Sequence, residues 1–104
     1  MSVELVSETF ASRIGESFEL ILASGERVET VLAACEETRY GDPEDLRERL
    51  GRVPFSLQFV SPDRERYAPQ QTFTVRHDEL GEFELFVVPL GPEERGMLYE
   101  AVIN

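Results

Sequence analysis

The chain has 104 residues, 41% of them hydrophobic, and a formal net charge of −11 from 21 acidic and 10 basic side chains. That length buries roughly two-thirds of the unfolded surface around one core, and the apolar share excludes a disordered chain. Every basic residue is an arginine, and a surface this negative repels phosphate backbones and anionic membranes, which argues against a nucleic-acid or membrane partner.

Met1 to Glu8 carries two carboxylates and no basic start, unlike a signal peptide. No apolar run nears the roughly 18 residues a membrane helix needs. Residues 1–104 therefore read as a single soluble, cytoplasmic domain. Ser7 to Gly15 has the signs of a short helix: Ser7 as cap, Glu8 at the positive dipole end, Phe10 and Ile14 on one face and Gly15 as the stop. Glu16 to Ala23 alternates, with Phe18, Leu20 and Leu22 on one side. Ser24-Gly25 turns the chain into a second strand, Arg27 to about Thr38, with Val28, Thr30, Leu32 and Ala34 on one face. Cys35 is the single cysteine, so no internal disulfide forms, and in this apolar segment its thiol acts as a small hydrophobe.

Tyr40 to Arg52 is dense in charge. Asp42 caps a helix, Pro43 takes its first position, Leu46 and Leu50 share a stripe and Gly51 ends it. Two leucines on one stripe favour packing over the domain as a lid; the alternative is a mobile excursion, because so short a helix is marginal without packing. In Val53 to Ser61, Phe55, Leu57 and Phe59 point inward, and Pro54 marks an edge or a strand beginning. The loop Pro62 to Pro69 follows. Thr72 to His77 alternates Phe73, Val75 and His77 inward, Gly81 closes a short turn at positive φ, and Glu82 to Leu90 returns. This last strand carries Phe83, Leu85 and Val87 on one face and Phe86, Val88 and Leu90 on the other. Cover on both sides would make it the centre of the domain. After the loop Gly91 to Gly96, Met97 to Asn104 closes the chain with Met97, Tyr99, Ala101 and Ile103 inward. Short connections favour antiparallel neighbours. The expected fold is all-β and mainly antiparallel, a six-stranded small barrel or sandwich with two short helices.

The chemistry-bearing residues are sparse. His77 is the only histidine, too few nitrogen ligands for a zinc or iron site. Beside Asp78 and Glu79 it reads as a structural hydrogen-bonding group rather than a base. The pairs Glu36-Glu37, Asp78-Glu79 and Glu93-Glu94 are strand or loop neighbours and make no acid–base pair. No segment has the spacing of a calcium loop, a phosphate loop or a nucleophile elbow. No catalytic, cofactor-binding or metal-ligating residue is assigned, and no cofactor is expected. Tyr40, Tyr67 and Phe86 lie in loops or on a second strand face. Together they would form an apolar patch for protein contact; the alternative is cover by the helices, Phe86 first.

One further pattern runs through nearly the whole chain: Phe10, Gly15-Glu16-Ser17-Phe18, Pro54-Phe55-Ser56-Leu57-Gln58-Phe59, Gln71-Thr72-Phe73, His77, Leu80-Gly81, Leu85 to Pro92 and Tyr99 to Asn104. It resembles a group of roughly 100-residue bacterial domains of unknown function, matching least at Tyr40 to Arg52. Members of that group lie near genes for phage-tail-collar-like proteins. The resemblance implies a fold and supplies no catalytic residues. The function expected is a non-enzymatic structural or protein-interaction module, accessory to a phage-tail-like or secreted assembly, with a protein partner or a second copy. The alternative is a small-ligand-binding β-barrel.

Overall fold

The computed structural model describes residues 3–104, so the first two positions of the Met1 to Glu8 stretch lie outside the described residues. The elements are α1 (Ser7–Ala11), β1 (Ser17–Ile21), β2 (Arg27–Glu37), α2 (Pro43–Leu50), β3 (Phe55–Ser61), β4 (Gln71–His77), β5 (Gly81–Glu93) and β6 (Gly96–Ile103). All neighbouring strands are antiparallel and they close into one barrel in the order β1-β2-β3-β6-β5-β4. Barrel closure, not a sandwich, is how these strands abolish their edges. Pro54 accordingly sits at a strand beginning rather than on an edge, and its carbonyl accepts the Thr38 N–H at 2.8 Å.

Period-two alternation decides what enters the lumen. Phe18, Leu20, Leu32, Leu57, Phe59, Phe73, Val75, Val87 and Tyr99 are all essentially inaccessible. On β2 the alternation breaks. A bulge between Leu32 and Ala34 shifts the register, so that Leu32 pairs with Phe59 while Cys35 pairs with Leu57. Ala34, expected on the inward face, is thereby turned outward, and Cys35 packs against the core in its place. Burial raises the Cys35 thiol pKa, with Glu37 and Glu8 adding to the effect, and its Sγ lies 3.7 Å from the Ser7 carbonyl oxygen.

The barrel ends are closed differently. At the end holding the chain's helices, Phe10 of α1 fills the opening. Its ring lies 6.2 Å from Phe18, 5.9 Å from Phe55 and 5.7 Å from Phe83. At the opposite end the Pro62–Pro69 loop folds inward on Ala68, whose N–H donates to the Tyr99 hydroxyl at 2.9 Å.

Four expectations are corrected here. Ser7 does not cap α1: Val6 takes the cap position without a side-chain bond, and the Ser7 hydroxyl faces Glu8 and Glu37 instead. The helix stops at Ala11, one turn early, which leaves Ile14 exposed. The α2 lid is not formed. No residue of α2 is buried, although Asp42 and Gly51 cap it as expected. Leu46 lies beside Gly41, and the segment is held at its exit, where Arg52 donates to the Leu5 and Asn104 carbonyls. Lastly, β5 is covered on one side only. A single-walled barrel has no second layer, so Phe86 and Leu90 are exposed. The same strand runs on to Glu93, past Pro89 and Pro92, because a register shift between Pro89 and Gly91 accommodates the missing donors.

Candidate functional site

The outer wall holds the largest group of apolar side chains that folding leaves uncovered. Outward residues follow from the pairing register. Val31 of β2 pairs with Val60 of β3, Val60 pairs with Leu98 of β6, and Leu98 pairs with Gly91, beside Leu90 on β5. One apolar row therefore crosses four strands. Two residues along, Gln58, Glu100 and Val88 form a second row. Two more along, Ser56 pairs with Val102, and continuation of the β5–β6 register brings Phe86 to the same level. Ile14 and Pro62 extend the first row at a shallow groove of about 450 Å³ that also reaches Arg95. Val60 is 8% exposed despite pointing outward, because its neighbours on this wall already crowd it. Val102 and Phe86 stand out at 59% and 54%. Exposed apolar side chains grouped in this way, with Gln58 and Glu100 between the two apolar rows, suit a contact surface.

Of the expected contact residues, the structure brings two to this flank and separates the third. Phe86 belongs to the wall itself, and the helices do not cover it. Tyr40, 86% exposed, lines a groove with Ser56, Val102 and Asn104 at the helix end. Tyr67 lies at the other end, on the Pro62–Pro69 loop, in a cleft of about 420 Å³ shared with Leu22, Glu26, Arg66 and the Tyr99 edge. Sequence reading missed Val31, Val60, Leu98, Leu90 and Val102 as one surface. Each was visible as an apolar residue on a strand's second face, but only the order β2-β3-β6-β5 makes them neighbours.

His77 has the structural role expected of it, with a different partner. Its side chain is buried, and its ring packs tilted against Phe18 with centroids 4.6 Å apart. Nδ1 accepts the backbone N–H groups of Glu79 and Leu80 at 3.1 and 3.2 Å. The proton therefore resides on Nε2, which donates to the Glu16 carboxylate at 2.6 Å. The imidazole thus locks the β4–β5 turn to the start of β1, with both nitrogens committed. Arg13 joins from α1's exit, 3.4 Å from both Glu16 and Glu79. Among the described residues, no group of three or more His, Cys, Asp and Glu gathers to hold a metal.

Glu16 makes this lock pH-sensitive. The His77 hydrogen bond, and after it the Arg13 contact, hold its carboxyl below the ordinary value of 4.5, against the opposing effect of partial burial. A depressed native pKa contributes stability that is fully present above the unfolded value and is lost as pH falls through the native one. Thermal melts between about pH 6 and pH 3 should show a steeper acid loss for the native chain than for Glu16→Gln. Parallel curves would show that the contact carries no linkage.

Comparison with protein families matches residues 5–103 to a model described as "Domain of unknown function (DUF6916)". No curated protein and no solved structure matches the chain.

Proposed function

We propose that this chain, which belongs to the DUF6916 family of domains of unknown function, is a non-enzymatic interaction module that docks a protein partner on the outer wall of β3, β6 and β5. The observation carrying this reading is the register-built apolar field from Val31 through Val60, Leu98 and Leu90 to Val102 and Phe86. The rest of the molecule supports it. His77, the only histidine, has both ring nitrogens engaged and its side chain buried. A small ligand in the lumen would have to displace Phe18, Phe59, Phe73 and Tyr99, each at most 1% exposed, which leaves that alternative the surface clefts, such as the one beside Tyr67.

The first candidate partner is the product of the neighbouring gene. The resemblance described above suggests a tail-like or secreted assembly as the setting. Size-exclusion chromatography with light scattering should give a complex between the native chain and the neighbouring gene product. The same complex should be absent with Phe86→Ser/Val102→Asp, which retains the native far-UV circular dichroism spectrum. A complex that survives both substitutions, or a free monomer in every mixture, contradicts the proposal.

A further inference from the structure

We infer that the partner inserts an arginine, flanked by apolar side chains, against Glu100 at the centre of this wall. The inference rests on the wall being the contact surface, and it specifies what the surface recognises. Glu100 pairs in register with Gln58 on one side and Val88 on the other. Tyr99 and Ala101 beside it point into the lumen and are buried, so its side chain points outward. Leu98 and Val102 precede and follow it on the same face of β6. It is half-buried, a carboxylate with Gln58 on one flank and Val88, Leu98 and Val102 on the others.

The chain's arginines do not answer this charge. Among the described residues, Arg13, Arg27, Arg49, Arg66 and Arg95 pair with other carboxylates and none reaches Glu100; nor does its side chain make any hydrogen bond there. A carboxylate that an arriving protein would strip of water needs a cation from that protein. Arginine suits the position because its planar fork accepts an apolar surround and pairs with both carboxylate oxygens. A second copy of the chain fits poorly. Two-fold pairing of this wall would bring two Glu100 carboxylates towards each other, between molecules each of net charge −11.

Selection of a random dodecapeptide library on the immobilised full-length chain tests this without a known partner. The selection is run in roughly 0.5 M salt, which confines the chain's net charge to a few ångströms. Enriched peptides should share one arginine between apolar residues. Their affinity should fall by at least about tenfold on Glu100→Gln and stay unchanged on Glu48→Gln, an equal charge loss on the exposed α2. Binding should disappear on Val102→Asp. If Val102→Asp abolishes binding while Glu100→Gln leaves it intact, the wall is the contact surface and the arginine inference is overturned. If binding survives Val102→Asp, both readings fall. Enrichment without a cation, no enrichment, or a dimer of the chain by light scattering also overturns the inference.

Discussion

Gly96→Ala should be the most damaging single-methyl change in the molecule, lowering stability by about 3 kcal/mol or more. Gly96 pairs with Glu93 to close the β5–β6 turn, and its φ of +149° is one that side-chain-bearing residues rarely adopt. A Cβ there would overlap the Ser61 carbonyl and come within 3.1 Å of a Val60 methyl. Both are fixed by the β3–β6 ladder and cannot move without unpairing it. Gly25 provides the control. Its φ of +93° is also positive, but nothing lies within 4 Å of an added Cβ. Gly25→Ala should therefore cost only about 1–2 kcal/mol, the backbone effect alone. Thermal melts of the two variants separate the steric part from the conformational part. Equal losses would mean that the Ser61 approach is not rigid.

Phe10→Ala should cost about 3–5 kcal/mol, whereas Leu50→Ala should cost less than about 0.5 kcal/mol. The two residues sit on the chain's two helices, and sequence alone assigns the covering role to the wrong one. Phe10 is fully buried among three phenylalanine rings at the end of the barrel. Leu50 is 52% exposed on a helix with no buried residue. Urea titrations of both variants give the comparison directly. Comparable losses would place α2 on the barrel after all.

Much of the fold was legible because strands obey a local rule. Phe55, Leu57 and Phe59, or Met97, Tyr99, Ala101 and Ile103, announce their inward face within a few residues, and glycines such as Gly81 mark turns that need positive φ. What escaped was non-local. The bulge at Ala33 reverses the parity of β2 through its pairing with β3, and nothing in the Val31 to Glu37 run signals it. Glu16 and His77 meet because β1 pairs with β4 to close the barrel; a separation of 61 residues hides that contact. The candidate site was half legible. Phe86, Val88, Leu90, Leu98 and Val102 stand out as apolar on a strand's second face, a pattern that ordinarily means a covering layer. In a closed single-walled barrel that layer must come from another molecule or be absent.

Methyl NMR on the chain with a bound peptide from the library selection examines the division between filled lumen and receptive outer wall most directly. The methyl groups of Val60, Leu90, Leu98 and Val102 should shift on titration, while those of Leu20, Leu57, Val75 and Val87 stay where they are. Shifts concentrated in the inward set would contradict the account, because they would place the ligand inside the barrel.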